Sequence, residues 1–219
     1  MDLSDLKIFR MTHIENIPHI LQYGITNRYS INANPNYKNI GDISLIDYRK
    51  DKQIQIDNGL GKNENNKKIT LGDFIPFYFW YKMPMLYVIK NGGNFVPKAT
   101  KSEEIIYLVC GVKQIINDKT VEYYFSDGHP VGFLSSLYDC SKINDLITIV
   151  DWKSIKENNW GGVDNRDLKR KKAAEFLVKD DIPTQYILHY ICYNENTKSR
   201  LENMKIDSSK IDVNPEAYY

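Results

Sequence analysis

The sequence has little cysteine and no long hydrophobic run. Its three cysteines, Cys110, Cys140 and Cys192, are an odd number without the spacing of zinc ligands, which argues against a disulfide framework and a cysteine metal site. Each has apolar neighbours, so we expect buried, reduced thiols in a cytoplasmic protein. No apolar run approaches the roughly 18 residues that a membrane helix needs, and we expect no membrane segment.

The sequence also lacks a charge imbalance, an internal repeat and a low-complexity segment. The net charge of +1 gives no overall argument for nucleic-acid binding, so any such surface has to be a local patch. Residues 166–172 are the strongest candidate, with five cations and one acid, although a solvated charged turn explains them equally well. The 219 residues, 42% of them hydrophobic, are enough for one domain with a buried core.

The N-terminal segment predicts a strand, a polar corner and a helix. Residues 8–12 have the alternation of a strand that ends at His13. Asn16 is placed to cap the following helix, Pro18 falls in its first turn, and Gly24 follows its end. Such a corner collects free N–H groups for an anionic or amide-bearing ligand, and Asn27 just beyond the helix is placed to face it. The alternative for His13 is a purely structural histidine.

Residues 30–66 are polar and only weakly periodic, apart from an apolar island at residues 43–49. A stretch of this length inside a domain is typical of a functional loop or lid. We expect Arg49 on a short helical turn within it, with a solvated arginine as the alternative, and residues 58–68 as an exposed mobile loop.

The strongest candidate for chemistry is Glu175, which begins a short apolar strand directly after the basic run. A carboxylate at the head of a buried strand loses solvation but keeps a fixed direction, which suits a group that orients a sugar hydroxyl or accepts a proton. The alternative is an edge glutamate paired with Lys171 or Lys172.

Three further segments predict strands. The aromatic run at residues 71–80 contains Pro76, which favours a broken or edge strand, and either Tyr78 or Phe79 is placed to face a bound ring. Residues 104–112 predict an interior strand. Residues 121–126 predict another that ends in a turn with His129, exposed by its position.

Taken together and in order, these segments resemble the DarT family of toxins, the DNA ADP-ribosyltransferases of toxin–antitoxin systems. The blocks that carry the resemblance are residues 12–16 (THIEN), 47–49 (DYR), 72–79 (GDFIPFYF), 85–87 (MLY), 126–129 (SDGH) and 174–178 (AEFLV). The resemblance implies an α+β fold of the ADP-ribosyltransferase type, with a split antiparallel β-sheet and flanking helices that hold NAD between the two halves. It implies a single domain over residues 1–219, an NAD-covering loop at about 32–54 and a substrate-facing region at about 123–170.

The resemblance also implies roles for individual residues. Glu175 matches the catalytic glutamate and Arg49 the essential arginine. The residues implied in cofactor binding are Arg10, Met11, Thr12, His13, His19, Asn27 and Arg49. Those implied in DNA binding are His129, Arg166 and Lys169. Relatives often have a histidine where this chain has Arg10, so the side-chain contact to NAD at that position departs from the family pattern.

The implied function is NAD-dependent ADP-ribosylation of a base in single-stranded DNA, with thymidine first and guanosine second, and without a metal. Single strands are expected because the reacting edge of a base is hidden in a duplex. The implied partner is a DarG-like macrodomain antitoxin that removes the modification, and we expect a cytoplasmic monomer. The alternatives are a catalytically silent module that binds nucleic acid or protein, and transfer to RNA or protein.

Overall fold

The computed structural model describes residues 2–93, 95–96 and 98–219, in which ten strands and eight helices are found. The strands are β1 (Lys7–His13), β2 (Gln53–Gln55), β3 (Lys68–Thr70), β4 (Phe74–Tyr78), β5 (Ile105–Gly111), β6 (Tyr123–Ser126), β7 (Leu137–Tyr138), β8 (Glu175–Lys179), β9 (Ile187–Cys192) and β10 (Ile211–Val213). The helices are α1 (Ile17–Tyr23), α2 (Ile43–Lys50), α3 (Pro84–Asn91), α4 (Val112–Asn117), α5 (Leu146–Ile149), α6 (Trp152–Lys156), α7 (Arg166–Lys172) and α8 (Glu195–Asn203).

Eight of these strands form one sheet, and β2 and β3 pair in a separate hairpin. The order in the large sheet is β10-β9-β5-β1-β4-β8-β6-β7, and neighbouring strands are antiparallel except for the parallel pair β9 and β10. Strand β1 pairs with β5 along its whole length but with β4 only at Phe9 and Tyr78. The sheet is therefore split between β1 and β4, and the predicted α+β sheet with flanking helices is confirmed.

The sheet is covered on both faces, as β5 shows most clearly. All seven of its residues are buried. Ile106 and Leu108 lie in one hydrophobic cluster, while Tyr107 and Val109 lie in another. Because successive side chains of a strand point to opposite faces, this alternation places β5 between two apolar layers. The prediction of an interior strand here is confirmed.

Strand β4 corrects the expectation of a broken or edge strand at Pro76. The strand is central, and Pro76 lies opposite Leu177 of β8. The carbonyl of Pro76 accepts a hydrogen bond from the Arg10 side chain on the β1 side, at 3.0 Å. In an antiparallel sheet, the N–H and C=O of one residue point toward the same neighbouring strand. The position of the missing N–H of Pro76 therefore faces β1, across the split, where the two strands form no regular hydrogen-bond ladder that it could interrupt.

Two other local expectations need correction. Cys140 is exposed, whereas Cys110 and Cys192 are buried as expected. Residues 58–68 are exposed for the most part, but their start is held by backbone hydrogen bonds from Asp57 and Asn58 to Leu137, and Lys68 belongs to β3. In residues 2–93, 95–96 and 98–219, no helix is both long and apolar enough to cross a membrane. The single domain over residues 1–219 stays a prediction.

Candidate active site

Glu175 is the first residue of β8 and lies in the middle of the sheet, between β4 and β6. Only 1% of the residue is exposed. Its N–H donates to the Ser126 hydroxyl at 3.0 Å, and Tyr78 lies opposite it on β4. The carboxylate is therefore fixed in direction by the strand and withdrawn from bulk solvent, as the sequence predicted.

Arg49 meets Glu175 from helix α2. The helix begins after Asp42, whose carboxylate accepts the N–H of Leu45 at 3.0 Å, and Arg49 lies in its last turn. Its guanidinium donates two parallel bonds to the carboxylate, from Nη1 to Oε1 at 2.8 Å and from Nη2 to Oε2 at 2.7 Å. Burial opposes the charge on Arg49, but the Glu175 carboxylate outweighs it and raises the pKa of Arg49. The pair is a buried, bidentate ion pair.

The structure decides against the simpler alternative for Glu175. Lys171 pairs with Asp151 and Asp167, both at 3.2 Å. Lys172 is buried and donates to the carbonyl of Ile155 at 2.7 Å, and burial lowers the pKa of Lys172 to about 8. Neither lysine is the partner of Glu175.

A cavity of about 620 Å³ opens in front of this ion pair, at the split between β1 and β4. A cavity of this size is ample for a large nucleotide ligand. Five residues predicted for catalysis or cofactor binding line it: Arg10, Met11, Asn27, Arg49 and Glu175. Its outer wall comes from the segment at residues 33–43, within the predicted NAD-covering loop. The cavity thus joins residues from opposite ends of the chain.

Tyr78 also lines the cavity, whereas Phe79 is fully buried in the core. Burial and the nearby Glu175 carboxylate raise the pKa of Tyr78 well above its usual value. Its hydroxyl therefore stays protonated at neutral pH and is available to donate a hydrogen bond in the cavity. The sequence allows either Tyr78 or Phe79 to face a bound ring, and in the structure Tyr78 is the one that faces the cavity.

Asn16 has a role that the sequence did not reveal. Its side chain was expected to cap α1 but makes no capping bond there. Instead, its amide donates to the Thr12 hydroxyl at 3.0 Å and to the carbonyl of Lys38 at 2.9 Å, and accepts the N–H of Lys38 at 2.8 Å. Asn16 therefore ties the outer wall of the cavity to the end of β1. Its partner is 22 residues away in the chain, and no local pattern identifies such a contact.

The side chains of Thr12 and His13 are buried beside this tie, with His13 only 2% exposed. The Nδ1 of His13 accepts the N–H of Glu15 at 3.1 Å. His19 on α1 is half-buried, with its ring against that of Tyr23 at 4.8 Å. The contacts of Thr12, His13 and His19 with NAD stay predictions.

Replacing His13 with asparagine should weaken the dependence of stability on pH. Burial, together with the nearby Lys38 cation, lowers the pKa of His13 below the usual value of 6.5. As the pH falls below about 6.5, the unfolded chain binds a proton that the folded chain does not, so this histidine makes the free energy of unfolding fall. Asparagine keeps an acceptor for the Glu15 N–H but does not titrate. Urea unfolding at pH 7.5 and 5.5 measures the effect. If the free energy of unfolding falls by the same amount between these two pH values in the wild type and in His13→Asn, the prediction is contradicted.

The predicted DNA-contacting residues lie outside the lining of the cavity. His129 is half-buried rather than exposed, and its N–H donates to the carbonyl of Arg170 at 2.8 Å. Burial lowers the pKa of His129, which the nearby Glu175 carboxylate only partly offsets. Arg166 and Lys169 are exposed on α7, with the Lys169 ammonium 5.5 Å from the ring centre of Trp160. Their contacts with DNA stay predictions.

The arrangement is suited to glycosyl transfer. A buried carboxylate at the end of a cavity stabilises positive charge that develops on a sugar, and the adjacent guanidinium is placed to bind a phosphate or a carboxylate. In the described part of the chain, no three His, Cys, Asp or Glu side chains come together as metal ligands.

Comparisons with known proteins agree with this geometry. The family model "ssDNA thymidine ADP-ribosyltransferase, DarT" matches residues 9–219. A DNA ADP-ribosyl transferase of Escherichia coli O127:H6 (strain E2348/69 / EPEC) is 29% identical over 196 residues, which cover 89% of this chain and 84% of that protein. A DNA ADP-ribosyl transferase–glycohydrolase fusion protein of Thermosipho africanus (strain H17ap60334) is 26% identical over 211 residues, 96% of this chain and 48% of the fusion.

Solved structures share the fold. Thermus sp. 2.9 DarT in complex with ADP-ribosylated ssDNA matches with a TM-score of 0.78 at 22% identity, covering 98% of this chain and 96% of that one. The same protein in complex with NAD+ matches with a TM-score of 0.72 at 21% identity, covering 99% and 98%. At this identity the likeness is one of fold.

Proposed function

This chain belongs to the DarT family of ssDNA thymidine ADP-ribosyltransferases, and we propose that it transfers ADP-ribose from NAD to thymidine in single-stranded DNA through Glu175 and Arg49. The observation that carries this proposal is the buried Glu175 carboxylate at the end of the cavity, held through both oxygens by Arg49. A catalytically silent relative would have no need to keep such a pair, whose desolvation is costly.

The cavity has the chemistry that NAD requires. Arg10, Arg28 and Arg49 lie along its wall, and these cations suit a diphosphate. Apolar side chains such as Met11 and Ile75 line it as well and suit the rings. The Thermus sp. 2.9 relative has been solved with NAD+. These features support NAD as the co-substrate of this chain, with Arg10 taking part through charge where relatives often have histidine.

Glu175 is proposed to act twice. Cleavage of the bond between nicotinamide and ribose develops positive charge on the ribose, which a fixed carboxylate in a cavity stabilises. The thymidine nitrogen that attacks the anomeric carbon then loses its proton, and Glu175 is placed to accept it. Arg49 holds the diphosphate and stabilises the deprotonated base by charge. One arm of the Arg49–Glu175 pair has to open for these contacts to form.

The proposed partners follow from the family. A Thermosipho africanus relative carries a DNA ADP-ribosyl glycohydrolase in the same chain. We propose a DarG-like macrodomain antitoxin that removes the modification as the partner of this toxin. DNA as the substrate favours the cytoplasm, and the single-domain monomer remains part of the proposal.

Mass spectrometry of oligonucleotides tests this function. A mixed-sequence single-stranded DNA, incubated with the protein and NAD, should gain one ADP-ribosyl group, and fragmentation should place it on thymidine. An RNA of the same sequence should gain none. Transfer to guanosine would correct the base, transfer to RNA alone would correct the substrate, and no transfer without NAD consumption would favour the silent binding module.

A further inference from the structure

The loop between β6 and β7 carries an exposed aromatic side chain at its tip. Phe133 is 91% exposed and its neighbour Leu134 is 70% exposed. Leaving two large apolar side chains in water forgoes the stabilisation that burial would bring. A contiguous exposed apolar patch is typical of a surface that binds a ligand.

The loop is tied to helix α7 by side-chain hydrogen bonds. The Nη1 of Arg170 donates to the Asp127 carboxylate and to the Ser135 hydroxyl, both at 3.2 Å. A Cβ on Gly128 would lie 2.3 Å from the same Nη1, so a larger residue there would displace the guanidinium from these two bonds. The turn that carries Phe133 is therefore ordered before a ligand binds. Binding does not have to order this part of the backbone, so less entropy is lost.

The loop that carries Phe133 starts beside the reacting carboxylate. Ser126, the last residue of β6, accepts the N–H of Glu175 on its hydroxyl at 3.0 Å, and His129 lies three residues further along the chain. The carbonyl of His129 accepts the N–H of Gly132 at 2.8 Å, which folds the chain back on itself. Phe133 follows directly, so the exposed ring lies one residue beyond this turn, on the loop that leaves β6 next to Glu175.

A cation from a different element lies beside the ring. The loop between β2 and β3 is anchored near its start by Asn58, which donates its N–H to Leu137 at 3.0 Å and its amide to Asp139 at 3.1 Å. From this loop, the Lys62 ammonium donates to the Phe133 carbonyl at 3.2 Å and lies 6.0 Å from the ring centre.

An exposed aromatic ring beside an ammonium group combines the two features that single-stranded nucleic acid needs, a face for a base and a positive charge for its phosphate. The presence of Lys62 favours this occupant over an apolar protein surface, because a protein would have to desolvate the ammonium group.

We propose that Phe133 and Lys62 form a stacking platform for a nucleotide next to the thymidine that is modified, with Phe133 under its base and Lys62 on its phosphate. This platform makes the reaction depend on the strand beside the target as well as on the target itself. The inference rests on the proposed function, because the neighbouring nucleotide has a defined place only if thymidine enters the cavity.

Abasic substitution tests the platform. A set of oligonucleotides with one thymidine carries a single abasic site, moved through the positions on either side of the target. For the wild-type protein, one adjacent position should lower kcat/KM by about 5- to 150-fold, the range expected for one base on one aromatic side chain.

Phe133→Ala should lower kcat/KM on the intact oligonucleotide by the same factor and show no further loss at that abasic position. Phe133→Trp should restore both the rate and the sensitivity, which a merely structural role would not. Lys62→Gln should reduce the slope of log kcat/KM against log salt by about 0.7, as expected for one phosphate contact on a single strand.

Two outcomes would overturn the platform alone: no sensitivity of the wild type to any abasic neighbour, or an equal loss for Phe133→Ala on intact and abasic strands. Either would favour a protein partner for the exposed ring, while transfer by the wild type would leave the proposed function standing. A wild-type protein that modifies no oligonucleotide would overturn both.

Discussion

Replacing Glu175 with glutamine should lower the rate of ADP-ribosyl transfer to single-stranded DNA by about 10³-fold or more. The side chain keeps its volume, but it loses the charge that stabilises the ribose and the base that accepts the proton. The amide also presents N–H groups to the Arg49 guanidinium, so one of the two bonds between the side chains is lost. The measurement is the single-turnover rate at saturating NAD and oligonucleotide.

Glu122→Gln is a matched control for this variant. Glu122 is another ion-paired glutamate beside the same sheet, with Lys67 and Lys179 as its partners. The Tyr124 hydroxyl donates a hydrogen bond to the Glu122 carboxylate. This bond and the two lysines lower the pKa of Glu122 to about 2, despite partial burial. Glu122 lies outside the cavity lining, so the Glu122→Gln variant should transfer ADP-ribose at a rate within about twofold of the wild-type rate. Glu175→Gln with a tenth or more of the wild-type rate would contradict the catalytic role.

Replacing Arg49 with methionine should cost both activity and stability. The transfer rate should fall by about 10²-fold or more, because the diphosphate and the deprotonated base lose a fixed cation. The free energy of unfolding should fall by about 3 kcal/mol, because Glu175, 1% exposed, keeps a buried charge without a partner. Urea unfolding at pH 7.5 and single-turnover transfer give the two quantities.

The double variant Arg49→Met with Glu175→Gln separates the two effects. Since the buried charge and its partner are removed together, the double variant should be more stable than Arg49→Met alone while staying inactive. Arg49→Lys should lie between wild type and Arg49→Met, since lysine keeps the charge but not the bidentate geometry. Strictly additive losses of stability in the double variant would show that the two side chains do not act as a pair.

Much of the site could be predicted because its key residues follow local patterns. Glu175 stands at the start of an apolar strand directly after the basic run, and the six blocks of family resemblance imply Arg49 as the essential arginine. The all-buried β5 has the continuous apolar run of an interior strand. These signals depend on neighbours within a few residues, which is the range over which sequence patterns are informative.

Other predictions failed where a distant part of the chain decided the outcome. Pro76 lies in a central strand because the split beside it removes the need for its N–H. His129 is half-buried because the backbone of α7 holds its turn. Asn16 binds Lys38 rather than capping its own helix. In each case the partner comes from another element, so local propensity was overruled by tertiary contact.

By itself, the sequence determined the strand and helix periods, the absence of a charge imbalance, and a set of residue types fit for glycosyl transfer. Only the tertiary structure decided that Arg49, rather than Lys171 or Lys172, neutralises Glu175 across 126 residues of chain. It also decided that Tyr78, rather than Phe79, faces the cavity, and that Lys62 lies beside Phe133. The physical reason is that hydrogen-bond and ion-pair partners depend on where folded elements meet, whereas periodicity and apolar burial are already encoded in short stretches of chain.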